Sequence, residues 1–123
     1  MTLAELQEYI LSHYESDIDH PIEKDPTVIV FRRLDNKKWF AALKNIKCRN
    51  VDVDRDGRID ILNVRLEPRT VAKLRTREGF RPAWRMNQNA WVTILLDGSV
   101  ADDEVFGYLD ASFDNAGGKA KKR

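Results

Sequence analysis

The stretch from Gly79 to Phe113, GFRPAWRMNQNAWVTILLDGSVADDEVFGYLDASF, leaves the chain least freedom, because a strand pair and a capped helix follow one another without slack. Arg81 to Asn87 and Ala90 to Leu96 read as paired strands around a turn near Gln88-Asn89. Ser99 is placed to cap a helix whose first turn holds Asp102, Asp103 and Glu104, where carboxylates meet the positive helix end. Val105, Phe106, Leu109 and Phe113 then recur on one side and Gly117-Gly118 ends the run.

Upstream, Thr2-Leu3-Ala4-Glu5 has the form of a capping box, and Leu3, Leu6, Ile10 and Tyr14 follow at helical spacing, so a first helix is expected to about His13. Pro21 and Pro26 bracket a loop. Thr27 to Arg32 is dense in β-branched residues and reads as a strand, turned at Asp35-Asn36 into a partner over Lys38 to Leu43. Val51 to Leu66 is expected as a second hairpin about Asp56-Gly57, and Pro68 opens a short basic helix that Gly79 can end. This order predicts an α+β fold: a two-layer sandwich with a single antiparallel sheet and the terminal helices packed on one face.

Within the carboxyl half, Pro82, Ala83, Met86, Asn87, Trp91, Leu96-Asp97-Gly98 and Ser112 resemble the pattern of the MmcQ/YjbR-like family of small bacterial domains. Phe31, Asn36 to Ala41, Leu62 to Arg65 and Pro68 extend the resemblance over nearly the whole chain. Trp84, Arg85, Gln88, Ala90 and Phe113 stand where the family pattern has tyrosine, histidine, lysine, histidine and tyrosine, and Arg65 where lysine is usual. The resemblance implies a frataxin-like (CyaY-like) fold and a DNA-binding role assigned by structural analogy.

With 123 residues the chain fits one domain, expected over 1–116, followed by a flexible basic tail at 117–123. No apolar run approaches the ~18 residues needed to cross a membrane and no export leader precedes the fold, so a soluble, cytoplasmic monomer is expected. The single cysteine, Cys48, excludes an internal disulfide, is expected to be half-buried, and has no neighbours at zinc-ligand spacing. Net charge is only +1, but residues 1–25 are acidic and the centre is basic. Such asymmetry matters more for partners than the total.

Three constellations follow. Asp52 to Asp60 matches the first nine positions of an EF-hand calcium loop, but Asn63 stands at the twelfth position and strand-like sequence follows the glycine, which favours a solvated hairpin turn. The carboxylates of the first helix and its loop invite comparison with the iron-binding acids of frataxins, against the ordinary solvated face of an amphipathic helix. The third arises from the two-residue period of strands. If Leu62, Val64, Val92 and Ile94 face the helices, then Asn63, Arg65, Arg85, Asn87, Trp91 and Thr93 project from the opposite, open side.

That open face, with the basic hairpin carrying Arg32, Arg33, Lys37 and Lys38, is the expected nucleic-acid surface: guanidinium groups for phosphate, amides for bases and Trp91 for stacking. Partners expected are therefore DNA or, on the same face, another protein anchored by Trp91, Trp84 and Arg85. A blander reading has Trp91 and Met86 completing a minor core and Asn87 holding a turn. His13 and His20 are the only histidines, and no nucleophile, phosphate-loop or metalloprotease pattern appears. No enzymatic activity and no cofactor are expected.

Overall fold

The computed structural model describes residues 1–117; the remainder of the basic tail expected at 117–123 lies outside the described residues. Elements follow in the order α1 (Leu3–His13), β1 (Ser16–Asp19), β2 (Ile29–Arg33), β3 (Trp39–Lys47), β4 (Arg58–Arg65), α2 (Pro68–Leu74), β5 (Phe80–Pro82), β6 (Trp91–Leu95) and α3 (Asp102–Asn115). The six strands form one antiparallel sheet in the order β1-β2-β3-β4-β6-β5. The expected α+β sandwich is therefore present.

Local chemistry explains most boundaries. Thr2 and Glu5 close the capping box reciprocally, at 2.9 and 3.1 Å, so two amides that α1 leaves without partners are satisfied. Pro68 starts α2, where a missing N–H costs nothing. Gly79 has φ +90°, and a Cβ there would stand 2.5 Å from a Val100 methyl, so only glycine allows β5 to begin beside the loop that leads to α3. Helix α3 is capped at Ala101; Ser99 instead donates its hydroxyl to Asp97, 2.6 Å away.

Helices α1, α2 and α3 cover one face of the sheet. Leu6, Ile10, Val71, Leu74, Val105, Leu109 and Phe113 pack against Phe31, Phe40, Leu43, Leu62, Val64, Val92 and Ile94. An aromatic cluster lies at its centre: Phe113 meets Phe40 edge-on at 5.0 Å and Tyr14 at 5.0 Å. The buried Tyr14 hydroxyl donates to Asp110; burial first, and that carboxylate second, raise the phenol far above its ordinary range. Arg77, just beyond α2, ties to Glu104 of α3 at 2.5 Å and holds that carboxyl below the usual range.

The fold differs from the sequence reading in further places. Residues 51–55 form no hairpin arm; β3 continues to Lys47, a 3-10 turn follows at Cys48–Val51, and β4 pairs directly with β3. Strand β1 was not anticipated. The expected strand from Arg81 to Asn87 stops at Pro82, because proline offers no N–H to continue a ladder, and residues 83–90 leave the sheet edge as a loop.

Candidate functional site

Side chains alternate along a strand, so the face turned away from the helices receives Val30, Ala42, Lys44, Ile46, Ile59, Ile61, Asn63, Trp91, Thr93 and Leu95. Most of these are apolar. Water is an unfavourable neighbour for such a surface, and two satellite cores cover it instead. One joins Ile46, Ile59, Ile61 and Leu95 to Cys48 and Val51 of the 3-10 turn. The other joins Val30 and Ala42 to Val28, with Ile22, Trp39 and Met86 packed around them. Trp84 touches both. Cys48 is fully buried, not half-buried as expected.

A polar clamp holds Trp84 over the sheet. The Asn63 amide donates to the Trp84 carbonyl (3.0 Å), the Trp84 N–H donates to the Thr93 hydroxyl (2.9 Å), and that hydroxyl donates to the Asn63 Oδ1 (2.5 Å). Asn63 and Thr93 are 2% and 0% exposed, and the ring of bonds answers the polar atoms that burial takes from water. The next residue, Arg85, takes a left-handed backbone (φ +55°), uncommon outside glycine, asparagine and aspartate. Its guanidinium lies 4.8 Å over the Trp84 ring. Asn87 then holds a turn, its Oδ1 accepting from Asn89 N–H and its carbonyl from Ala90 and Trp91 N–H.

Between this loop and the one at 20–28 lies a pocket of about 130 Å³. Val30, Ala42 and Ile61 line it from the sheet, the two indoles of Trp39 and Trp84 flank it, and Ile22, Val28 and Met86 complete its apolar lining. Three polar side chains also reach it: Lys44, Asn63 and Arg85. Lys44 donates to Asp25 at 2.9 Å and to the Thr27 hydroxyl, which itself donates to Asp25 at 2.6 Å; the bonds that Asp25 accepts, from Lys44 first and Thr27 second, bring its carboxyl down to about 2. The loop at 20–28 is thereby latched to β3.

The expected nucleic-acid residues are not brought together on an open face. Asn63 and Trp91 (8% exposed) do project away from the helices, but both are buried, because alternation decides a side chain's direction and not what covers it. Arg33 is 2% exposed and belongs to the helix side: it chelates Asp35 at 3.0 and 3.2 Å, donates to the Phe113 carbonyl and stacks 4.1 Å from the Phe113 ring. Asn36 donates to the Ala116 and Gly117 carbonyls, so the β2–β3 turn serves the carbonyl end of α3, where a cation and donors are favoured.

Arg32 is half-buried and faces Asp19 (3.5 Å) and Asp17 (3.9 Å) from β1. Lys37, Lys38, Arg85 and Asn87 are exposed, and Arg65 is half-buried at the end of β4. Antiparallel pairing puts Lys37, Lys38, Arg65 and the loop at 83–90 at one end of the sheet. They form scattered cations around a covered face.

The metal alternatives gain no geometry. Arg49 lies against Asp54 (3.5 Å) and Asp56 (3.2 Å), so a guanidinium sits where the calcium reading needs a metal. Glu5 caps its helix, and Asp17, Asp19 and Asp25 have the partners given above. Among the described residues no group of three or more His, Cys, Asp or Glu side chains is arranged to hold a metal ion. His13 and His20 each set Nδ1 against a backbone carbonyl, of Tyr9 (2.9 Å) and Pro26 (2.8 Å). No described helix is long and apolar enough to cross a membrane.

Trp39, Ile22 and Val28 were not anticipated as site residues. The one faint signal concerns Trp84 beside them: Pro82 stops an edge strand, and a large aromatic two residues later must bury itself elsewhere.

Comparison with known proteins agrees with this architecture. The family model YjbR matches residues 11–115, and the chain belongs to the YjbR family. It is 28% identical over 113 residues to the uncharacterized protein YyaQ of Bacillus subtilis, covering 92% of this chain and 96% of that one. A crystal structure of a Pseudomonas syringae protein superposes with a TM-score of 0.89 at 34% identity, covering 94% of this chain and 99% of that one. A Deinococcus radiodurans protein shares the fold, with a TM-score of 0.69 at 22% identity over 91% of this chain and 75% of that one.

Proposed function

We propose that this YjbR-family chain is a non-enzymatic protein-interaction module whose working surface is the pocket between Trp39 and Trp84. The pocket itself carries the reading. At about 130 Å³ it matches a benzene-sized group, well short of the several hundred Å³ that enclose a typical small-molecule ligand or cofactor. A single leucine or phenylalanine side chain from a partner is the right size and polarity. Indole walls are the kind of surface that anchors such residues.

The same geometry weakens the case for DNA. Arg32 and Arg33 are engaged by carboxylates, Asn63 is closed in its clamp, and Trp91 offers little ring surface for stacking. A base inserted into the pocket would bury donors and acceptors beside side chains whose own polar atoms are largely satisfied, which is costly. Absence of catalysis is supported by the backbone partners of both histidines and the burial of Cys48.

Titration with toluene, followed through the indole N–H resonances, tests the reading. Trp39 and Trp84 are expected to shift and Trp91 to stay, and filling the pocket by Ala42→Phe or Val28→Phe should remove the shifts. Unmoved indoles, together with tight binding of a labelled duplex that weakens steeply with salt, would return the working surface to nucleic acid.

A further inference from the structure

We infer that the segment received by this pocket carries a carboxylate next to its apolar anchor, and that Arg85 reads that carboxylate. The inference rests on the pocket being the working surface. It follows from which of the pocket's polar groups have already been answered. Lys44 is held by Asp25 and Thr27, and Asn63 by Trp84 and Thr93. Arg85 makes no ion pair or side-chain hydrogen bond among the described residues and is exposed. An apolar cleft with one unanswered cation on its lining is complementary to an apolar group bearing a negative charge.

The local backbone adds to this. Arg85 is held in a left-handed conformation that arginine rarely adopts, with the Asn63–Thr93 clamp on its amino-terminal side and the Asn87 turn on the other. The backbone that carries the side chain is therefore hydrogen-bonded on both sides, at Trp84 and at Asn87. The guanidinium carbon lies over the Trp84 ring, 4.8 Å from its centroid. This contact uses none of the guanidinium N–H groups as hydrogen-bond donors, and those groups can meet a carboxylate in a paired geometry. The Trp84 ring would contact the anchor while Arg85, packed on that ring, contacts the acid.

The test compares N-acetyl-leucine with N-acetyl-leucinamide, which differ in a carboxylate against a neutral amide. Each is titrated into the intact protein at neutral pH while the Trp39 and Trp84 indole resonances are followed. The carboxylate is expected to bind about threefold tighter at low salt, the size of an exposed ion pair, with the margin narrowing as salt is added. Arg85→Asn, which keeps a residue tolerant of the left-handed backbone, should erase the margin between the two probes. Arg85→Lys should retain much of it.

Equal affinity of the two probes, or a margin that survives Arg85→Asn, would overturn the role of Arg85 and leave the pocket reading standing. Failure of both probes to shift either indole would remove the pocket reading as well. Displacement of N-acetyl-leucine by thymidine 5′-monophosphate at lower concentration would assign the cation to phosphate and overturn the inference.

Discussion

The two faces of the sheet are closed in different ways. On one, three helices lay down a continuous apolar layer in which Tyr14, Phe40 and Phe113 interlock. On the other, loops do the covering, and side-chain hydrogen bonds fasten them: Asn63–Thr93–Trp84 at one place, Lys44–Asp25 at another. A helix satisfies its own backbone and can commit a whole stripe to packing. A loop must find partners for its amides, so its fit to the sheet is less complete and leaves a recess. The tightly packed side is expected to supply most of the stability, and the loosely covered one holds the recess proposed to bind.

The contrast is best broken from the packed side first. Phe113→Ala removes a fully buried ring that contacts Phe40, Tyr14 and the Arg33 guanidinium, and a loss of about 3–5 kcal/mol is expected in chemical denaturation. An equal or smaller loss than that from any loop-side substitution would show that the helix-covered face is not the main source of stability.

On the loop side, Thr93→Val keeps the shape and deletes the hydroxyl that both accepts from Trp84 N–H and donates to Asn63. Two partners are left unanswered in a buried place, so about 1–3 kcal/mol should be lost. The more telling readout is local. Amide exchange at 83–87 should rise in the variant while α1 and α3 keep their protection. Uniform loosening would mean that the two faces act as one cooperative unit.

How much of this was legible beforehand follows the same division. The helix-covered face announces itself through the period of Leu6, Ile10 and Tyr14, the Thr2–Glu5 box, and the alternation that sends Leu62, Val64, Val92 and Ile94 inward. The opposite face has no such code. Ile59, Ile61 and Leu95 make it apolar where the sequence reading has it polar and open, and which segment crosses over them depends on where β5 stops and on a clamp between residues 30 positions apart. Strand β1 was hidden for a related reason: Ser16-Asp17-Ile18-Asp19 has one apolar residue, and its pairing is supported by the contact of its carboxylates with Arg32. Arg33 was read as a surface cation because sequence cannot show that the end of α3 arrives beside it.

The smallest expected effect concerns the second fastening. Asp25 is half-buried, and its carboxyl is brought down to about 2 in the folded chain from an ordinary 3.8. The native state therefore holds fewer protons than the unfolded one across that interval, and stability must rise with pH through it. The Lys44–Asp25 contribution is fully present above about pH 4 and fades as pH falls toward 2. Glu5, Asp97 and Glu104 are also held below their usual values and share the acid loss, so total stability alone does not isolate the latch. Asp25→Asn does. Its denaturation midpoint should fall less steeply with acid than that of the parent, and the Ile22 and Val28 methyl resonances, which report on the pocket wall, should stop responding to pH below 4. Persistence of their pH response in the variant would mean that the loop at 20–28 is held by its apolar contacts alone, and that the ion pair is incidental to the shape of the recess.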